Sequence, residues 1–321
     1  MNLSGTVLVA GVLLAPQPLP VGDAPTGAGT LQERLGYPRE ARLVIVHADD
    51  LGVTHSVNAA TIRALETGLV NSASLMPATP WFPEIAAYAR EHTEADLGLH
   101  LALTSERTFY RWGPVSARDR VPTLVDPQGY LHKDWSDPTA ISPSEAEIEL
   151  RAQVERALAL GVKPTHLDSH QNRLYQSGKP LFEAFRRVAR SYGIPMLLPR
   201  EWFATWSYLG EGVAPEEIVI DRIVTIDPDV PADRWGAFYA DAIASLQPGV
   251  TEFVIHLAFD DEEMRAFSRD RPTWGAAWRQ RDFDYFTSDA FRLQLGAKGA
   301  LLVTWRDIAT RLNAPAAARA R

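Results

Sequence analysis

From residue 42 nearly to its end, the chain alternates short apolar runs of β-type with longer amphipathic patterns of helical period. No other feature restricts the fold as much. The runs "RLVIVH" (42–47), "LVNSASLM" (69–76), "ADLGLHLAL" (95–103), "KPTHLDSH" (163–170), "IPMLLP" (194–199), "EIVIDRIVTI" (217–226), "VTEFVIHLA" (250–258) and "ALLVTW" (300–305) read as strands. Between them lie helical patterns. In "SVNAATIRALETG", Ser56 reads as the N-cap, with Val57, Ala60, Ala64 and Leu65 as the buried stripe. In "SPSEAEIELRAQVERALALG", Ser142, Pro143 and Glu145 read as a capping box, with Leu150, Val154, Ala157 and Leu158 buried. The expected fold class is therefore α/β, a (β/α) barrel of seven to eight parallel strands, distorted or partly open. No Gly-x-Gly-x-x-Gly follows the first strand, which argues against a dinucleotide-binding sheet.

A barrel of this kind fits in 321 residues as one domain, expected over residues 41–321. Residues 1–40 read as a leader. Its apolar segment (7–15) runs into a Pro/Gly/Ala stretch with Gly22-Asp23-Ala24, the pattern of a signal peptide followed by a flexible segment. That predicts a periplasmic or secreted protein, with a cytoplasmic one as the alternative. The segment is too short to span a bilayer, and no later run approaches the roughly 20 apolar residues required.

The net charge of -8 and the lack of any Lys/Arg cluster disfavour nucleic acid as a partner. With no cysteine, thiolate metal sites and thiol nucleophiles are excluded, so any metal is held by His, Asp or Glu. Residues 105–140 lack periodicity, and so long a loop is usually functional or disordered.

Ionisable residues gather at strand ends: Asp49 and Asp50, His100, the trio His166, Asp168 and His170, and His256. In a parallel barrel these ends share one face. Strand alternation turns His166, Asp168 and His170 to one side, and in "GLHLA" the inward phase is Gly98, His100 and Ala102. Two imidazoles and a carboxylate make a mononuclear metal site open to water and substrate. A cation there also compensates two adjacent carboxylates at the end of a buried strand.

"HADDLG" followed by "VN", then "GLVNSASLM", "GLHLALT" and "PTHLDSH", resembles the YdjC-like carbohydrate deacetylases, the group that includes chitooligosaccharide deacetylases. These motifs cover residues 42 to 200, and "FVIHLAF" stands in the place of that family's late histidine-bearing strand. The resemblance implies one divalent ion, Mg²⁺ or Zn²⁺, and hydrolysis of an N-acetyl group from a sugar or oligosaccharide. It assigns Asp49 as general base, Asp50, His100 and His170 as metal ligands, and His256 as the acid, charged when the amine leaves. "DSHQN" departs from the family's run of histidines, leaving open whether His166 or His170 is the ligand. Asp168 either orients a ligand histidine or binds the metal itself. His47 reads as a supporting residue.

Nine tryptophans are many, and those in loops could stack on sugar rings. Trp112, Trp274, Trp278 and Arg279 are the candidate substrate contacts. Two other functions fit parts of the pattern: a metal-independent glycoside hydrolase on a similar barrel, and a non-catalytic carbohydrate-binding protein. The oligomeric state is not legible in the residues.

Overall fold

In the computed structural model, described over residues 29–313, seven strands form one sheet in which every ladder is parallel. They are β1 (Arg42–Leu51), β2 (Ser72–Leu75), β3 (Leu97–Leu101), β4 (Leu167–Ser169), β5 (Arg222–Val224), β6 (Gly249–Ile255) and β7 (Ala300–Leu302). The order is β4-β3-β2-β1-β6-β5, with β7 also paired to β1. β1 is the central strand, and its Leu43, Val44, Ile45 and Val46 are fully buried, as expected where both faces are covered.

The sheet curls into a distorted barrel. Between β4 and β5 a continuous ladder is replaced by two lone parallel bridges, Leu167 to Met196 and Pro199 to Ile220. "IPMLLP" was expected as a full strand. Pro195 and Pro199 have no N–H to donate, so the segment cannot sustain a ladder.

Register stacks the inward side chains in layers. His47 pairs with Ser72, Ser74 with Gly98, and His100 with Asp168. Parallel partners face the same way, so the expected inward phase of Gly98 and His100 is observed. Gly98 is needed there, because a Cβ at this position would lie 2.5 Å from the His166 ring.

Some local expectations are corrected. The first long helix, His55–Glu66, is capped by Thr54, whose hydroxyl accepts from Val57 N–H at 3.1 Å. Ser56 instead donates through its hydroxyl to Asp261 Oδ2 at 2.5 Å and through its backbone N–H to Glu263 Oε2 at 2.8 Å. On the helix Pro143–Ala159, Ser142 is the N-cap as expected, but the Glu145 carboxylate accepts from Thr123 N–H and hydroxyl, each at 2.7 Å. Leu158 is exposed, while Glu149 on the inner face accepts from Val115 N–H and Ser116 N–H of the long loop. Within the leader, a short helix at Leu31–Arg34 buries Leu31 and Leu35 in the core, so this part is folded rather than flexible. The signal-peptide reading of residues 7–24 lies outside the described residues. Among the described residues, no helix is long and apolar enough to cross a membrane.

Candidate active site

Adjacent residues on a regular strand point to opposite faces, so Asp49 and Asp50 should not both reach the barrel mouth. They do because β1 carries one extra residue. Ala48 pairs with Ala73 and Leu51 with Leu75, so three steps on β1 match two on β2. Asp50 sits in this irregularity at φ 73°, in the left-handed region that a non-glycine residue adopts at a cost of about 1–3 kcal/mol. Bulges of this kind re-aim side chains. Both carboxylates line a cavity of about 770 Å³ at the mouth, together with His100, Asp168, His170 and His256.

Three donor atoms converge there. His170 Nδ1 is 3.3 Å from Asp50 Oδ1 and 3.3 Å from His100 Nε2, and His100 Nε2 is 3.5 Å from Asp50 Oδ1. Ligand atoms around one small divalent ion lie about 3.0–3.5 Å apart, given bonds near 2.1 Å. Asp50 Oδ1 is buried and accepts no hydrogen bond. Each imidazole is backed by a carboxylate: His100 Nδ1 donates to Asp168 Oδ1 at 2.7 Å, and His170 Nε2 to Glu106 Oε2 at 3.0 Å. This leaves His100 Nε2 and His170 Nδ1 as the nitrogens that face Asp50 Oδ1, the arrangement that supports metal-binding histidines. The donor set therefore fits a divalent ion.

Two other His/carboxylate groups have donor atoms within 4.8 Å of one another, His47/His166/Asp168 and Asp49/His100/Asp168. Both share the Asp168 carboxylate, which is already engaged by His100 Nδ1 at 2.7 Å through Oδ1 and by His47 Nε2 at 3.1 Å through Oδ2. His47 meets Ser72 through Nδ1 (2.9 Å), and Ser74 (3.0 Å), Asp49 (3.0 Å) and Asp168 (3.1 Å) through Nε2. Burial works against a charge on His47, but Asp168 and Asp49 overcome it and hold the ring protonated. His166 lies a layer below the mouth, stacked on Trp305 at 5.1 Å. Burial and the neighbouring His47 cation keep it neutral. The three converging atoms thus include one from His170 and none from His166, and Asp168 hydrogen-bonds His100.

The remaining pair faces this triad. Asp49 Oδ1 accepts from Ser74 Oγ at 3.2 Å, leaving Oδ2 toward His256 Nε2 at 3.8 Å. Burial pushes the His256 pKa down to about 4, so the resting ring is neutral. Its backbone N–H donates to Asp282 Oδ2 at 3.1 Å, and Trp278 packs on its ring at 5.4 Å.

Arg279 donates to Asp50 Oδ2 at 2.6 Å. Burial alone would raise the Asp50 pKa, but the charges of Arg279 and His170 outweigh it and hold this carboxylate well below its usual range. Trp274 and Arg279 line the cavity, as expected of substrate contacts, but Trp112 and Trp278 do not. Both are buried, Trp112 beside His170 and Trp278 against Trp235, and serve packing. Sequence reasoning missed Glu106 and Arg107, which reach the cavity from the irregular loop. The only signal for them was that loop's length.

A family model described as YdjC-like protein matches residues 43–297. The chain is 31% identical over 293 residues to a carbohydrate deacetylase of Thermus thermophilus, covering 87% of this chain and 97% of the relative. It is 34% identical over 166 residues to a chitooligosaccharide deacetylase of Serratia marcescens, covering 50% of this chain and 60% of that one. The crystal structure of an Enterococcus faecalis protein, named for a proposed cellobiose-phosphate cleavage, superposes with a TM-score of 0.70 at 25% identity, covering 84% of this chain and 99% of that one. With the family model spanning most of its length, and the Thermus relative aligned nearly from end to end, this chain belongs to the YdjC-like protein family.

Proposed function

We propose that this chain is a metal-dependent carbohydrate deacetylase that hydrolyses the N-acetyl group of an amino sugar or glycoconjugate. The observation that carries the reading is the convergence of Asp50 Oδ1, His100 Nε2 and His170 Nδ1 beside the facing pair Asp49 and His256. The deacetylase names of the Thermus and Serratia relatives support it.

Amides are poor electrophiles with a poor leaving group, so both ends of the scissile bond need help. Asp50, His100 and His170 would hold a divalent ion, which would supply Lewis acidity toward the acetyl carbonyl and toward water. Asp49 removes a proton from the attacking water through Oδ2, the oxygen that His47 and Ser74 leave free. The water oxygen bonds to the acetyl carbon, the carbon–nitrogen bond breaks, and acetate and a free amine result. His256 is neutral at rest, so the proton it hands to the leaving nitrogen is one it first receives. Asp49 Oδ2, 3.8 Å away, is its source.

The test is acetate release from a panel of N-acetylated mono- and oligosaccharides, with bound metal quantified in the same preparation. Loss of release on chelation and recovery with a divalent ion is the expected result. Activity that persists after complete metal removal overturns the reading.

A further inference from the structure

The cavity has two unlike walls. One carries the reactive groups with Glu106, Arg107, Arg279, Gln171 and Asn172. The other is an apolar furrow made by Leu197, Trp202, Ile223, Phe238, Ala242 and Val254. All of these except Leu197 keep part of their surface exposed. Val254 lies two residues before His256 on the inward face of β6, so the furrow begins beside the reaction centre. Ile223 is on β5, and Phe238 and Ala242 stand one turn apart on the helix Trp235–Ala244. The furrow borders the gap where the ladder between β4 and β5 is missing, with Leu197 and Trp202 coming from the segment that bridges the gap and Ile223 and Val254 from the paired strands β5 and β6.

Polar groups on this wall are few. Thr225 and Glu201 border it, and Glu201 Oε1 is already engaged by the Ile223 N–H at 2.9 Å. A sugar hydroxyl pressed against such a surface loses water without gaining a partner, whereas a methylene gains from the same contact. Trp202 and Trp206 do not form a paired sugar platform, because their rings meet edge-on at 86°. The volume of about 770 Å³ lies in the upper part of the range for ligand pockets, roughly 300–1,000 Å³.

We propose that the substrate is an amphiphile, an N-acetylated amino sugar bearing a hydrocarbon aglycone that lies in this furrow. The proposal rests on the deacetylase reading for its reaction and on the furrow for its substrate class. It also assigns Ile223, Phe238, Ala242 and Val254 as specificity residues.

The experiment uses the metal-loaded full chain and measures acetate release from methyl, butyl and octyl N-acetylglucosaminides below their micelle concentrations, with chitobiose and chitotriose alongside. The expected kcat/KM rises at least tenfold from methyl to octyl and exceeds that of chitobiose, each buried methylene contributing up to about fourfold. Ala242→Glu and Phe238→Ser bring the octyl-to-methyl ratio toward one, and this ratio does not depend on how much protein folds. A flat chain-length dependence with chitobiose preferred overturns the proposal and leaves deacetylation standing. A gain seen instead when the N-acyl group is lengthened from acetyl to hexanoyl also overturns it. If nothing releases acetate, the deacetylase reading fails, and calorimetric binding decides the furrow separately. Octyl glycoside bound at least tenfold tighter than methyl, and weakened by Ala242→Glu, sustains it; equal binding overturns it.

Discussion

Arg279 donates to Asp50 Oδ2 across 2.6 Å, joining a helix near the end of the described chain to the last turn of β1, 229 positions away. The guanidinium occupies one carboxylate oxygen and leaves the other, Oδ1, facing His100 and His170. Arg279→Met removes that partner and leaves a buried carboxylate uncompensated. Metal affinity is expected to fall about 10- to 100-fold. The melting temperature is expected to drop in chelator and to drop further with metal, because weaker binding also removes part of the stabilisation the ion confers. Calorimetric metal titration and melts with and without chelator check both. Unchanged affinity would remove Arg279 from the site.

Asp168 fixes which nitrogen of His100 carries the proton. Asp168→Asn keeps an acceptor but loses the charge shared by His100 and His47. Metal affinity is expected to fall about 10-fold or more, and further in Asp168→Ala. Equal affinities in the wild type and both variants contradict the orienting role.

Asp49 and His256 act on protons rather than on the ion. Asp49→Asn and His256→Ala should each lower kcat about 10²- to 10⁴-fold while bound metal stays at wild-type stoichiometry. A parallel loss of metal would instead make Asp49 a ligand. The two outcomes separate cleanly in one preparation assayed for acetate and metal.

Protons and the ion compete for His170. Burial works to lower its pKa, but Glu106 and Asp50 outweigh it and push the value up to about 10. His170 is therefore protonated at pH 7 until a metal displaces the proton. Apparent metal affinity is expected to rise with pH up to about 10, with proton release visible as a dependence of binding heat on buffer ionisation enthalpy. The raised pKa also stabilises the metal-free protein. That contribution is complete below the unfolded value, near 6.5, and is lost as pH climbs through about 10. Chelated protein should lose stability over that interval, and loaded protein should not lose this part.

Gly98 is held to its size by His166. Gly98→Ala places a methyl 2.5 Å from a ring that is buried and stacked on Trp305. A cost of about 1–3 kcal/mol is expected in urea unfolding. A second change, His166→Ala, should recover part of it by making room.

Local pattern made much of the barrel legible. Apolar runs marked β1 to β7, and alternation placed Gly98 and His100 on the inner face before any packing was known. The run at 194–199 failed as a strand because two prolines interrupt its donors, a detail that apolarity alone outweighed in the reading. Trp112 and Trp278 are buried away from the cavity lining, a placement illegible in the residues because a tryptophan reads the same whether its segment folds inward or outward.

By itself the sequence determined a parallel α/β chain whose histidines and aspartates fall at strand ends, because side-chain period and apolar runs are properties of neighbouring residues. Tertiary structure decided the rest. The extra residue in β1 turns Asp50 inward beside Asp49, Glu106 comes from an irregular loop to hold His170, and Arg279 arrives from a distant helix to pin Asp50. Each of these depends on how far-separated segments pack and which buried charges must be paired, and no local periodicity encodes that.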